Sequence, residues 1–504
     1  MIVLAHSDQL DLEQYRRIVV DREPVALDPA ALAAVDAARE RLLAHLDIGV
    51  SAYGVNTGLG YLARTRLDPD AQRAFQRALL VRGAGVGPPL APEVVRGAML
   101  LRLTGFLAGA AGVSAALCEF LAARLNDGWT PVVPARGLTS AGEVIALSHL
   151  FQTLVGEGLV LEDGAQMPAA EALARRGVAP YEPGVKEGIA LVNGAPTAPA
   201  LTAWLTARAR STLDHATLAG ALVAALTGAS LRPYSRRVGA LKGDPGQQRV
   251  HATLLELHAG AADWSDRPQS PISLRVLPQV HGAALDTLDH VDAQVARELR
   301  AVTDSPLYLE AEGEEPAGLY PSGNFHAQAL SFGLDALAIA FAQVGNLGEK
   351  RLHRLLDHRF SGLPDQLASD PGRQTGLVFL HKSAIGYAAE SRLLAAPASV
   401  HPVDGSAGQE DFQALTFLAA EKLERILDNA ELIAAAELLA ARQARELRGA
   451  PLPPRLEGIV QRLDVAPVTE DRSFTRDLER LRALIRSGTL LSGIRRAPDR
   501  SAGG

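Results

Sequence analysis

The chain has 504 residues, 47% apolar and 21% charged, a balance that suits a globular protein with room for more than one domain. Its 50 Lys and Arg against 57 Asp and Glu give a net charge of −7, which argues against a general nucleic-acid binder, where a basic excess or stripe is the usual footprint. Cys118 is the only cysteine, so neither an internal disulfide nor a Cys-based zinc site is expected, and a reducing, cytoplasmic setting fits.

The start, "MIVLAHSDQLDLEQYRR", has early acids and no long apolar stretch, unlike a secretory signal. In "DPAALAAVDAARERLLAHL", Asp28-Pro29 reads as a cap followed by a first-turn proline, the signature of a helix start. Ala- and Leu-rich stretches at 96–125, 198–231, 279–302, 326–358, 376–396 and 409–448 are predicted helices. Within the first of them, 103–118 is the most apolar run. Bounded by Arg102 and Glu119, it falls short of the roughly 20 residues a bilayer needs, and a buried helix rather than a membrane span is expected. "PVVP" at 131–134 is the best short strand. The runs 210–230 and 326–345 are apolar nearly all round, so other helices must cover them, and oligomerisation is expected. Glycine-containing loops at 51–66, 81–89, 186–197 and 316–325 are the natural places for a site. The expected architecture is mainly α. An N-terminal domain (1–200) precedes a central domain built on a long helical bundle (201–490), and a disordered tail (491–504) follows.

Eight short motifs follow one another along the chain: "YGVNTGLG" (53–60), "TPVVPARG" (130–137), "KEGIALVNG" (186–194), "SLRVLPQVHG" (273–282), "TDSPL" (303–307), "SGNFHA" (322–327), "PASV" (397–400) and "GQED" (408–411). In this order, and over about residues 10–490, the chain resembles the histidine and phenylalanine ammonia-lyases, a family that includes tyrosine lyases and aminomutases. The resemblance implies the ammonia-lyase fold and a tetramer with shared active sites acting on a small amino-acid-like substrate. It also implies a methylidene-imidazolone electrophile made from an Ala-Ser-Gly triad in the chain itself. Tyr53 matches the family's general base, a role in which a phenol must be helped to lose its proton. Asn193 matches a residue that holds the electrophile or the substrate amine, and Arg275 the carboxylate anchor, a task suited to a planar fork of donors. Gln269, Phe325 and Glu410 match pocket positions, with Phe325 walling the ring site and Glu410 bearing on the amine or the base.

The chain departs from the family where the electrophile should form. Aligned backwards from His149, Gly142 takes the triad's glycine position, Ala141 its serine and Ser140 its alanine; aligned forwards from Gly137, Ala141 takes the alanine and Gly142 the serine. Either way the middle position lacks a hydroxyl to lose, so the prosthetic group is expected to be absent. Thr139-Ser140-Ala141 keeps a central serine, but the attacking nitrogen would belong to Ala141, whose Cβ crowds the turn that glycine permits. Ile272 replaces the family's tyrosine before "SLR", and Arg82 replaces a histidine. That guanidinium is suited to a carboxylate or phosphate on the substrate or, equally, to an internal acid.

Three readings follow. The first is an elimination, of C–N or C–O type and with or without cyclisation, that uses Tyr53 and no standard electrophile. The second is an aromatic ammonia-lyase or aminomutase with a nonstandard group from Thr139-Ser140-Ala141. The third is a non-catalytic family member that partners an active paralogue. No metal site is expected, since His149, His281 and His326 sit in unrelated motifs without ligand spacing, and no external cofactor is expected, since no loop has a Walker or dinucleotide frame.

Overall fold

Aspartate followed by proline sets several helix starts. Asp28 accepts hydrogen bonds from the backbone N–H groups of Ala30 and Ala31 at 2.9 and 3.0 Å, with Pro29 in the first turn of the helix Pro29–Asp47. Asp68 and Asp244 do the same for Pro69–Leu80 and Pro245–Leu257. The computed structural model describes residues 1–138, 141–261, 269–401 and 403–491; Thr139, Ser140 and the tail from 492 onward lie outside them.

The architecture is mainly α, as the Ala- and Leu-rich stretches predict. The longest helices are Pro29–Asp47, Thr197–Leu226, Leu277–Glu298, Gln328–Leu356 and Thr416–Arg448. Among the described residues the strands form only two-stranded pairs, one of which joins Val86–Pro89 antiparallel to Pro134–Arg136. In "PVVP", therefore, only Pro134 belongs to a strand, while Pro131 makes an isolated bridge to Val160.

The stretch 96–125 differs from its expected continuous helix. It forms two helices, Pro92–Leu107 and Ala115–Asn126, so the apolar run 103–118 spans a helix end, a turn and a helix start. The turn contains Gly109 and Gly112 at φ +79° and +65°. A Cβ on Gly112 would fall 2.3 Å from Leu42 Cδ2, so glycine both permits the reversal and lets it pack on the Pro29–Asp47 helix. At the other end of the chain, 409–415 stays outside the helix, with Leu415 at φ +54° just before it begins.

The chain divides into two compact units. One comprises Met1–Trp204, Gln294–Phe332 and Ala398–Leu418; the other comprises Leu205–Ala293, Gly333–Pro397 and Ala419–Gly504. The second unit is a bundle of long helices with Leu222, Leu288, Phe341, Leu352, Leu427 and Leu438 fully buried. By length and composition Gln328–Leu356 is apolar enough to cross a membrane, but 61% of that window is buried in the protein. Its Asp335 pairs with Lys422 at 3.1 Å.

Deeper in the bundle, Arg351 makes a two-pronged pair with Glu437, Nε to Oε1 and Nη2 to Oε2 both at 2.8 Å, and both side chains are essentially inaccessible. Burial pushes the Glu437 carboxyl upward even with the guanidinium against it. Removing one partner strands a charge in the core, which typically costs about 3–5 kcal/mol, whereas replacing both by apolar groups costs far less. R351L alone should therefore lower the denaturation midpoint sharply, and R351L/E437L should recover much of the loss in the same urea titration.

Candidate active site

In the first unit three of the family-like motifs meet around Asp304 and its neighbour Ser305. Asp304, from "TDSPL", accepts from Lys186 Nζ at 2.8 Å and from Arg102 Nη2 at 3.3 Å, and all three side chains are almost wholly buried. Lys186 begins the "KEGIALVNG" segment, and Arg102 also donates to the backbone carbonyls of Ala190 and Asn193 at its end. Next to Asp304, the Ser305 carbonyl accepts from Asn193 Nδ2 at 2.9 Å. Ser322, in the "SGNFHA" turn, donates its backbone N–H to Ser305 Oγ at 3.1 Å and its hydroxyl to the Asp304 carbonyl at 3.0 Å. Asn193 and the turn carrying half-buried Phe325 are thus hung on a single ionic frame.

Ala141, Gly142 and Glu143 lie against the same frame. Gly142, at φ +67°, accepts from the Gly194 N–H at 3.0 Å. A Cβ at this position would lie 2.2 Å from Asn193 Oδ1, so any side chain here would force Asn193 to move and would sit at a φ that L residues rarely adopt. Ala141, beside it, is buried. Next along, Glu143 is held at φ +52° and fully buried, and its two carboxylate oxygens accept from the backbone N–H groups of Thr197 and Ala198 at 2.7 and 2.8 Å. Its carboxylate therefore caps the long helix Thr197–Leu226 from a neighbouring loop and fixes the triad segment to it.

Tyr53 is half-buried, and its phenolic oxygen accepts from the Gly60 N–H at 3.0 Å. Among the described residues the hydroxyl donates to no protein acceptor. Gly60 in turn meets the Gly405–Glu410 turn, where Ser406 Oγ stands 2.5 Å from the place a Gly60 Cβ would occupy. That packing sets the turn bearing Glu410 beside the Tyr53 loop. Burial pushes the Glu410 carboxyl above its ordinary value.

The loop 81–89 is fixed by His149. Its Nε2 accepts from the Gly85 N–H at 2.9 Å, and burial lowers its proton affinity, in keeping with a neutral acceptor. Arg82 on this loop is exposed, with its guanidinium 5.2 Å from the centre of the Phe75 ring. No carboxylate lies within ion-pair distance of it among the described residues, so the internal acid considered from the sequence is not there.

The remaining site candidates belong to the second unit. With the Gln269 amide turned so that its oxygen faces Arg275, that oxygen accepts from both terminal guanidinium nitrogens, at 2.7 and 2.8 Å. Arg275 closes the short helix Ile272–Arg275 and makes no ion pair among the described residues, leaving its charge available to a ligand. A cleft of about 630 Å³ is lined by Gln269, Ile272, Arg275, Arg354, Arg359 and Phe360, among others. Ile272 is 63% exposed. Arg354 lies over the Phe360 ring at 4.7 Å, while Arg359 is neutralised by Asp357.

Sequence reasoning passed over Glu143, Arg102, Lys186 and Asp304 as individual residues. The legible signal was a lone acid in "SAGEVIALSHLF" and an arginine opening the most apolar run. Glu143 also makes a pH-dependent prediction. Burial raises its carboxyl from 4.5 to about 7, against the opposing pull of the Thr197 and Ala198 N–H groups. A raised native value means that this contribution to stability is complete below about pH 4.5 and is lost as pH rises through about 7. The stability gap between wild type and E143Q should accordingly narrow across that window, by a total on the order of 3 kcal/mol. Paired urea titrations at a series of pH values would show it, and a constant gap would refute it.

Comparison with known proteins places this geometry in a family. Residues 10–464 match the aromatic amino acid lyases. Histidine ammonia-lyase of Aromatoleum aromaticum is 37% identical over 497 residues, covering 96% of this chain and 94% of that protein. Tyrosine aminomutase from Streptomyces globisporus superimposes with a TM-score of 0.90 at 30% identity, covering 99% of this chain and all (100%) of that one. The ergothioneine-degrading enzyme ergothionase from Treponema denticola gives a TM-score of 0.91 at 26% identity, covering 97% and 99%. With its motifs in family order on a mainly helical fold, the chain belongs to the aromatic amino acid lyase family, as an enzyme of the histidine and phenylalanine ammonia-lyase type.

Proposed function

We propose that this lyase catalyses an elimination on an amino-acid-like substrate without a standard methylidene-imidazolone group. The observation that carries the reading is the contact of Gly142 with Asn193. Because a Cβ there would collide with Asn193 Oδ1 at 2.2 Å, position 142 favours glycine, which supports the register that puts Gly142 third in the triad and Ala141 in the middle. A buried methyl at Ala141 has no hydroxyl to lose, so in this register the residues do not fit the prosthetic group, and no step is assigned to it.

Tyr53 serves as the base, with its oxygen oriented by the Gly60 N–H. Arg275, braced by Gln269, grips the substrate carboxylate, and Asn193 and Glu410 attend the amine or the base. Phe325 and Ile272 contribute apolar walls. Arg82, exposed and without an acid, meets an anionic group of the substrate. With less electrophilic activation available, the leaving group departs more readily than ammonia, through C–N or C–O cleavage with or without ring closure. The likeness to an enzyme that degrades ergothioneine supports a substrate beyond the common aromatic amino acids. Exposed Ile339, Phe379, Ile385 and Leu393 on two bundle helices support a homotetramer, and the single cysteine supports a cytoplasmic setting.

Intact-mass measurement is the decisive test. The unmodified encoded mass is expected; a deficit of two waters would overturn the reading in favour of a group formed at Thr139-Ser140-Ala141, of which the first two lie outside the described residues. On a substrate found by screening histidine, tyrosine, ergothioneine and their activated or O-substituted analogues, Y53F should lower kcat by about 10²–10⁴-fold. Activity unaffected by Y53F would remove the phenol from the chemistry, and no activity in any screen would favour the non-catalytic partner.

Carboxylate recognition gives a separate outcome. R275K keeps the charge but loses the fork, and should raise KM more than it lowers kcat, by about tenfold or more for a substrate bearing an α-carboxylate. The amide analogue of that substrate should bind equally to both forms.

A further inference from the structure

Away from these residues, the second unit gathers a carboxylate and two imidazoles. Glu349 and His353 sit four residues apart on Gln328–Leu356, hence one above the other on a single helix face. His381 comes from the first turns of Val378–Leu394, and its Nε2 lies 2.9 Å from Glu349 Oε1. The two imidazole rings stand 4.7 Å apart, centre to centre, with planes 33° from parallel. One ligand atom from each of the three residues falls within 4.8 Å of the other two.

An ion pair accounts for part of this arrangement and leaves the rest over. Glu349 is buried and already has Lys350 Nζ on its outer oxygen at 2.8 Å. His353 is half-buried, pressed against a second imidazole, and makes no hydrogen bond among the described residues. An imidazole in that position makes no hydrogen bond to the Glu349–His381 pair, but it completes a set of two nitrogens and one oxygen within 4.8 Å of one another.

We propose that Glu349, His353 and His381 form a site for one divalent transition metal of the zinc class. Metal–ligand bonds of about 2.0–2.2 Å put neighbouring donor atoms of a tetrahedral ion about 3.3–3.6 Å apart. Small side-chain rotations bring the three donors to that spacing. Imidazole with carboxylate suits zinc, nickel, copper or ferrous iron and is a poor match for magnesium or calcium, which prefer all-oxygen shells. Lys350 holds the second Glu349 oxygen, leaving Oε1 as a single donor in the way outer hydrogen bonds commonly fix a ligating carboxylate. The half-exposed edge at His353 provides access and leaves a fourth position for water. Two long helices of the bundle would then be tied together by the ion.

The test uses the full-length protein stripped with a chelator and titrated with Co²⁺ alone, followed by displacement with Zn²⁺. One Co²⁺ per chain is expected, with visible ligand-field bands of a four- or five-coordinate ion, bleached by Zn²⁺. H353Q and H381Q should each weaken binding by more than about tenfold, with unchanged circular dichroism. Because His381 is largely buried, the half-buried H353Q serves as the variant least prone to misfold, and Zn²⁺ should raise the Tm of wild type and not that of H353Q. The proposal is overturned if folded wild type shows no such bands, or if the bands survive in both histidine variants.

Discussion

A buried carboxylate carrying two cations organises the first unit. Asp304 is almost inaccessible, and the low-dielectric surroundings that make its charge costly also make its pairing with Lys186 and Arg102 strong. The arrangement is directional as well as stabilising. The Arg102 Nη2 that faces Asp304 also donates to the carbonyls of Ala190 and Asn193 at the end of the Glu187–Val192 helix, and the backbone next to Asp304 receives Asn193 and Ser322. Asn193 in turn leaves no room for a side chain at position 142. The backbone at Gly142 is therefore positioned, through Asn193, by charges behind it on Asp304, Lys186 and Arg102.

This division of labour explains what was legible in the sequence. The family motifs could be read because they are short and ordered along the chain. Their content was harder to apportion. In "KEGIALVNG" only Asn193 has the look of a chemical residue, yet Lys186 is the fully buried cation that holds the segment down, and Glu187 accepts from the Ser114 hydroxyl and backbone and from Tyr181. Nothing in one sequence distinguishes a buried lysine from a solvated one when its partner is 118 residues away. Helix periodicity located the bundle well because Ala and Leu dominate it. It failed at 103–118, where two glycines with positive φ matter more than the apolar composition around them. Glu349 and His353 have a helix spacing that was available to inspection, but the third member, His381, comes from a different helix, so only the folded chain brings the set together.

The two parts of the proposed machinery also differ in how firmly their charges are committed. Arg102 and Lys186 face Asp304, Arg351 faces Glu437 and Arg359 faces Asp357, so each of these charges is already paired. Arg275 is braced by a neutral amide instead, and Arg82 by an aromatic face, so each keeps a full positive charge oriented but uncancelled. Neutral bracing is the cheaper way to hold a cation ready for an anion that comes and goes.

The hydrogen bond from Gly60 to Tyr53 has a geometric corollary. Since the phenolic oxygen already receives a backbone N–H on one side, its own O–H bond has to point to another direction than Gly60. The donor exists only because residue 60 adopts φ +56° with Ser406 filling the space beside it. Two segments remote from each other in the chain thus jointly aim one proton, and a bulkier residue at either place would turn the phenol without altering the tyrosine itself.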